Sequence, residues 1–455
     1  MRRLTPGRAS VPIRTTRHAR ALLASGLVAL MVHPAGAAAQ ESESPANPQS
    51  QDPVAAVDSI RASYDRPAAE PPTDWVDVVE FPLKVVAFPF KLVLVDLPGW
   101  IAGQVLVPRA PSGFVRAYRS MLNWGFRPTI RASIGPRSAA AIEGQLFRYD
   151  PLYIHSALSR RGSQRHRVGV LVADPRHSFV AEARWQRDAQ LTFYGIGPDS
   201  DPDRGLYSRD YWDLRARGTT RLSRRTGLDL GLGFESNKID EPVWSDDESI
   251  WDEFDTSDLY GANDDTRYLR IDGGVTLDLT GRREFQDTGA WLRLQGAAWR
   301  GVADTPSDFH AITAIAQGYL PINRRQQLAL RGVTRIARSD SDEMVPFFHL
   351  SQLGGSRTAI GYSTSRFTDN DMLSLVAEWR YEVWRDIHDI VRSEFFLYFG
   401  EGTVQRRLGE VSSGDWQASY GFGARMVMKE RLLGVAFLGF SDEDVQVGIR
   451  GDWPL

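Results

Sequence analysis

The feature that most constrains this chain is a two-residue period, sustained from Trp124 onward, in which charge keeps to a single parity. Between Arg267 and Leu279, one face carries Leu269, Ile271, Gly273, Val275, Leu277 and Leu279, and the other carries Arg270, Asp272, Gly274, Thr276 and Asp278. Leu228, Leu230, Leu232 and Phe234 alternate in the same way with Asp229, Gly231, Gly233 and Glu235. Leu373, Leu375, Ala377, Trp379, Tyr381 and Val383 alternate with Ser374, Val376, Glu378, Arg380 and Glu382. Successive side chains of an extended strand point to opposite faces, so each run reads as a strand with one apolar and one polar face.

A soluble β-sandwich alternates too, but its strands average about five or six residues, whereas a tilted transmembrane strand needs about nine to eleven. These runs have the second length. An Arg or Lys facing lipid at the bilayer midplane costs roughly 2–4 kcal/mol, so the charged parity faces a lumen. Tight connections at Ser223–Arg225, Asn323–Arg325 and Lys429–Arg431 fall on one side of the strand count. Long ones at Gln190–Leu206, Ile239–Thr266, Asp340–Asn370 and Glu401–Asp415 fall on the other. Short periplasmic turns and long external loops are the outer-membrane pattern. The expected fold is therefore all-β: a single sixteen-stranded antiparallel transmembrane β-barrel over residues 124–455, preceded by a short apolar or helical periplasmic segment, in the bacterial outer membrane.

The first 39 residues read as a signal peptide. Arg2, Arg3, Arg8, Arg14, Arg17 and Arg20 form a basic region, Ala21–Val32 is apolar, and Ala37-Ala38-Ala39 precedes a cleavage point before Gln40. Residues 40–74 are rich in Pro, Ala, Ser and acid and lack the apolar content to bury a core. Residues 75–123 are apolar at first but broken by Pro82, Pro89 and Pro98, which forbids one long helix. Two readings stand for that stretch: short helical pieces in the membrane interface, or a linker packed on the barrel wall. A net charge of −3 over 455 residues gives no basic footprint for nucleic acid. The absence of cysteine excludes a disulfide framework and leaves only oxygen and imidazole ligands for any metal.

Leu353-Gly354-Gly355-Ser356-Arg357-Thr358-Ala359-Ile360-Gly361-Tyr362, then Ser365-Arg366-Phe367 and Ala377-Glu378-Trp379-Arg380, resembles the signature of the Omp85 superfamily, the bacterial surface antigen (D15) barrels related to BamA and TamA. Phe193-Tyr194-Gly195-Ile196-Gly197-Pro198-Asp199-Ser200 resembles a second stretch common in those barrels. The resemblance implies sixteen strands, with the signature in the sixth external loop between strands eleven and twelve. It also implies transport or assembly of polypeptide or lipid at the outer membrane. The partners it implies are outer-membrane lipid and lipopolysaccharide, a polypeptide client, and the assembly machinery that inserts the barrel. No cofactor, metal or catalytic group is expected. The rival is a structural or passive barrel: plugged, an anchor or a small pore.

Two departures bear on that implication. The family usually carries an Arg before the Gly–aromatic pair and an Asp on strand thirteen, an ion pair that pins loop six in the lumen; here those places are Ile360 and Gly400. Losing one partner of a buried pair costs about 3–5 kcal/mol, and losing both avoids that cost. On this reading the loop enters the lumen held by Arg357 or Arg366 against the lumen charges Glu378 and Glu382, which flank Arg380. The alternative leaves it outside with solvated charges. Family members that assemble or secrete proteins also carry periplasmic POTRA modules, and residues 41–123 offer no recognisable one.

Other clusters are weaker. Eleven carboxylates lie between Asp240 and Asp265 with no Lys or Arg among them, the pattern of a solvated external loop or a divalent-cation site. Asp199, Asp201 and Asp203 alternate without the glycine and terminal Glu spacing of a calcium loop. Ser307, Asp308 and His310 are a poor triad, because neighbouring strand residues point to opposite faces. Gln446 to Trp453, including Gly448 and Trp453, resembles a last-strand recognition signal for barrel assembly, although the chain ends Pro454-Leu455. N-terminal sequencing of the mature protein from outer membranes is expected to begin at Gln40; an uncleaved N-terminus would contradict the signal peptide.

Overall fold

The computed structural model describes residues 126–131, 141–149 and 151–450, apart from 160–161, 244–247, 284–285, 340–344, 386–390 and 429–430. The expected signal peptide, linker and proline-broken segment, together with Trp453, lie outside the described residues.

Sixteen principal strands follow one another. They are β1 (Phe126–Arg131), β2 (Ala141–Tyr149), β3 (Leu152–Ser159), β4 (Gln164–Ala173), β5 (His177–Phe193), β6 (Gly205–Arg221), β7 (Thr226–Asp240) and β8 (Thr266–Asp278). The second half comprises β9 (Gln286–Gly301), β10 (Phe309–Pro321), β11 (Gln326–Ser339), β12 (Asp371–Arg385), β13 (Val391–Gln405), β14 (Gln417–Met428), β15 (Arg431–Phe440) and β16 (Val445–Arg450). Each pairs antiparallel with the next, as in Leu230↔Gly273 between β7 and β8 and Glu378↔Tyr398 between β12 and β13. Among the described residues no register joins β16 to β1, and these terminal strands, six residues each, are the shortest of the sixteen. No described helix is long and apolar enough to cross a membrane.

The parity seen in the sequence divides the sheet into two chemical surfaces. Leu230 (63% exposed), Ile271 (58%) and Leu294 (55%) stand on the outer face, as do Leu330, Leu375 and Leu397. Asp213, Glu235, Asp272, Ser374, Glu378, Arg380, Ser419 and Arg425 are buried on the inner one. Water is the wrong solvent for the first set and lipid for the second, so the outer face is the hydrocarbon-facing wall. The outer face also carries an aromatic row, His166 stacked on Trp185 at 5.3 Å and Trp185 beside Trp212 at 6.1 Å, the chemistry of a membrane-interface belt.

Connections alternate in length. Residues 174–176, 222–225 and 322–325 close turns on one side. On the other lie loop three (194–204), loop four (241–265), loop six (340–370), loop seven (406–416) and the short loop eight (441–444). Loop six thus joins β11 to β12, as expected, and contains its own small hairpin of Ser351–Leu353 against Phe367–Asp369.

Replacing Leu230, mid-band on the outer face, with Arg is expected to lower the free energy of folding into lipid by about 2–4 kcal/mol, whereas Ser236→Arg near the outer rim costs about 0–1 kcal/mol. Urea titration of refolding into vesicles measures both. Equal costs would mean that the outer face does not meet a graded bilayer.

Candidate functional site

A barrel of sixteen strands has a lumen wide enough for a water channel unless something occupies it. The chain fills it from the external side. At the strand ends Phe193, Tyr207, Tyr268, Trp299 and Phe309 turn inward, and loop six brings Phe347, Phe348 and Leu350 onto them. Phe347 meets Phe193 and Tyr207 edge-to-face at 5.4 and 5.1 Å, each pair contributing about 0.5–1.5 kcal/mol beyond its buried area. Loop four adds Ile250, fully buried at the start of a one-turn helix (Ile250–Glu253), and Leu259.

His349 continues this anchor. Its Nε2 lies 2.7 Å from Glu235 Oε1 on β7, and its carbonyl accepts from Arg335 Nη1 at 2.6 Å. Burial lowers the His349 pKa below its ordinary 6.5, against the opposing pull of Glu235, and the nearby Arg209 and Arg335 add to the lowering.

The tip of loop six descends against β12 to β15. Gly355 takes φ +74°, a left-handed conformation that glycine adopts without strain, and its N–H donates to the Tyr362 carbonyl at 3.0 Å. Gly361 passes so close to the β15 end that a Cβ there would stand 2.2 Å from the Phe440 carbonyl oxygen. Between them the buried Ile360 packs with Val376, Phe396, Tyr398, Val435 and Phe437, all on the lumen face. The hydroxyls of Ser374 and Tyr398 each donate to the Thr358 carbonyl at 3.1 Å. Loop eight closes the seat: Tyr362 donates to Asp442 at 2.6 Å and Ser441 to the Gly361 carbonyl at 3.0 Å. Where the superfamily signature places an ion pair, this chain has a hydrocarbon contact. At Gly400 a Cβ would meet the Tyr398 hydroxyl at 2.6 Å, so the position of the absent Asp is filled by Tyr398.

Arg366 is 2% exposed and does have a carboxylate partner, though not the expected one. Its Nε and Nη2 grip Glu443 of loop eight at 2.7 Å each, and its Nη1 and Nη2 donate to Ser200 Oγ and O at 3.0 and 2.7 Å. The guanidinium also lies over Phe367 and Tyr194, 4.5 and 5.2 Å from the ring centroids. Loop three is thereby clasped to loop six, and Gly197 N–H donates to the Thr368 carbonyl at 2.9 Å. The two sequence stretches that carried the resemblance meet here.

The expected pairing of Arg357 or Arg366 with Glu378 or Glu382 is corrected for Arg366, because Glu443 is delivered to it by the curvature of the sheet. Glu378 instead binds Arg380 at 2.6 Å and approaches Arg425 at 3.7 Å, while Glu382 binds Arg385 at 2.5 Å. Arg357 sits in the loop with its carbonyl accepting from Arg331 Nη1 at 2.7 Å. A second charge network lines β5 to β9: Arg184–Asp213 at 2.5 Å, Arg215–Glu182 at 2.7 Å, Arg293–Asp229 at 3.2 Å, and Arg217 with Asp272. Sequence reasoning missed Glu443, Glu235 and Arg335; the acidic turn Ser441–Asp444, beside loop six once the sheet curls, was the available signal.

The remaining sequence clusters separate. Ser307 Oγ lies 3.3 Å from Tyr268 Oη, Asp308 accepts from the Gly301 amide at 2.8 Å, and His310 is exposed on the outer face. Among the described residues no three His, Asp or Glu side chains converge where a metal ion could be held. Gly448 lies on β16, where a Cβ would stand 2.5 Å from the Phe437 ring.

These features define an outer-membrane β-barrel whose sixth external loop is folded back into its lumen. The Omp85 superfamily domain matches residues 155–427, and the chain belongs to that superfamily. No curated protein sequence matches it. The fold is similar to that of BamA from Haemophilus ducreyi lacking POTRA domains 1–3, at 11% identity and a TM-score of 0.51 over 74% of this chain and 77% of that one. CdiB from Escherichia coli (11%, TM-score 0.49, 72% and 62%) and CdiB from Acinetobacter baumannii (11%, 0.46, 71% and 58%) are more distant likenesses. The protein is an outer-membrane barrel of this superfamily, consistent with a role in assembly or transport there.

Ile360→Ala, which empties an apolar seat, is expected to loosen loop six by about 2–5 kcal/mol, read as faster protease cleavage at the Gly354–Arg366 tip in intact cells. Cleavage unchanged from wild type would remove Ile360 from the lock. The His349 shift gives a sign in pH. Its folded pKa lies below 6.5, so its contribution is present above 6.5 and lost as pH falls through the lower folded value. Hydrogen-exchange protection of residues 345–353 is expected to hold at neutral pH and fall in mild acid; a gain of protection on acidification would contradict the burial argument.

Proposed function

We propose that this barrel acts in the transport or assembly of polypeptide or lipid at the outer membrane, with loop six as the element that occupies the lumen between cargo events. The observation that carries this reading is the superfamily loop signature, kept in sequence and seated against β12 to β15 while its usual ion pair is replaced. At its tip the loop rests on the hydrocarbon seat of Ile360, with its ion pair to Glu443 out at the rim, so leaving the seat does not require separating a charge pair in the centre of the lumen. On this reading a polypeptide or lipid client passes the barrel, and the outer-membrane assembly machinery inserts it. Its role is non-enzymatic, in keeping with the separation of Ser307, Asp308 and His310.

A second reading has its own support. The cap over the mouth is extensive, and a passive plugged barrel, anchor or small pore accounts for it equally well. Quantitative outer-membrane and secreted proteomics, with and without the gene, tests for protein cargo. Transport or assembly of protein predicts selective loss of one or a few exported proteins, restored by the wild-type gene; an unchanged proteome would reject protein cargo and leave lipid handling or a passive barrel, which conductance separates.

A further inference from the structure

The outer face carries a second pattern, at the external end of the hydrocarbon-facing runs. Along β7 to β11 the first outer-face residue beyond the apolar and small side chains is basic or nearly so on every strand: Lys238, Arg267, Arg300, His310 and Arg338. Three basic groups at this level are matched by acids. Arg187 holds Asp210 through two hydrogen bonds of 2.7 Å, Lys238 lies 2.9 Å from Asp240, and Arg338 is forked onto the buried Asp371. Arg267 and Arg300 differ. Both side chains are exposed, and among the described residues no carboxylate pairs with either. Asp308, the nearest acid in register to Arg300, is engaged by the Gly301 amide at 2.8 Å.

Register makes these two neighbours. Arg300 lies opposite Leu269, so Arg267 is its diagonal partner, about 7–8 Å away across the β8–β9 pair. His310, opposite Ala298, stands diagonal to Arg300 on the other side. Two uncompensated guanidinia side by side repel each other, and they lie where lipid headgroups rather than bulk water are the neighbours. An anion that bridges them removes the repulsion, and guanidinium binds phosphate through paired hydrogen bonds.

We infer that Arg267 and Arg300 form a binding site for the phosphate groups of an outer-leaflet phosphoglycolipid of the lipid A class. The aliphatic stems lie along the wall with the acyl chains, and the guanidinia reach the sugar-phosphate level, as long basic side chains do at a membrane interface. A glycolipid with phosphates on a disaccharide matches a row of cations several ångströms apart better than a single small headgroup does. The flanking Ile271, Leu294 and Ala298 present the apolar surface its chains would cover. The inference is independent of the cargo proposed above.

The test uses the full-length protein in detergent and native mass spectrometry with three probes: diphosphoryl lipid A, the same lipid with both phosphates removed, and phosphatidylglycerol. Retention of diphosphoryl lipid A is expected to be about tenfold stronger than that of the dephosphorylated form and to exceed that of phosphatidylglycerol. Arg267→Gln combined with Arg300→Gln is expected to remove about the same factor, while Arg267→Lys with Arg300→Lys keeps most of it. Heat-modifiable gel migration verifies that each variant is folded. Equal binding of the two lipid A forms by wild type would overturn the site without reference to any variant. Phosphatidylglycerol binding as well as lipid A would reject the glycolipid in favour of general anionic lipid, and a folded Gln variant that binds like wild type would place the site elsewhere.

Discussion

Everything in this structure depends on the impossibility of leaving a backbone amide or a charge bare in hydrocarbon. With no water to satisfy them, the backbone groups of the described strands pair antiparallel from β1 through to β16, and within the apolar band charge keeps to the face that does not meet lipid. The inner face then inherits a problem. Glu182, Asp213, Glu235, Asp272, Glu378 and Glu394 are buried there, and each has an arginine within ion-pair distance. The two networks that result, one on β5 to β9 and one on β12 to β14, set the polar wall on which loop six comes to rest.

Loop six solves a different problem, that of a wide barrel with an external mouth. Its anchors are graded from outside inward: an aromatic cap at Phe347 and Phe348, the His349–Glu235 contact, then the hydrocarbon seat of Ile360. Arg366 and Glu443 form an ion pair in the loop's tip region, and that grip is at the rim, where Glu443 retains 30% side-chain exposure. Charge pairing has in effect moved from the centre of the lumen to its edge. A buried pair exchanged for well-packed hydrocarbon is often neutral or stabilising, so the replacement of Arg and Asp by Ile360 and Gly400 need not weaken the seat. Such an exchange does alter how the seat responds to salt and pH.

Local pattern carried much of this. The parity of Leu228–Glu235 and Leu269–Asp278 located the wall, and the contrast between Ser223–Arg225 and Asp340–Asn370 located the outside. The loop-six signature told which loop enters. Its fastening was not legible, because the partners lie far apart along the chain: Glu443 is 77 residues from Arg366, Ser200 is 166, and Glu235 is 114 from His349. Only the curl of the sheet brings them together, and no periodicity encodes which carboxylate arrives first. Glu378 looked available because it shares a parity with the lumen; Arg380 and Arg425, on the same face and closer, had already claimed it.

The central claim is that loop six closes the lumen. It is tested most directly by conductance across planar bilayers, comparing wild type with a variant in which residues 354–366 are replaced by a short Gly/Ser linker. A seated loop predicts little or no steady conductance for wild type and discrete open-pore steps for the variant. Large wild-type steps that the deletion leaves unchanged would contradict it, and would mean that the lumen is open with the loop lying elsewhere.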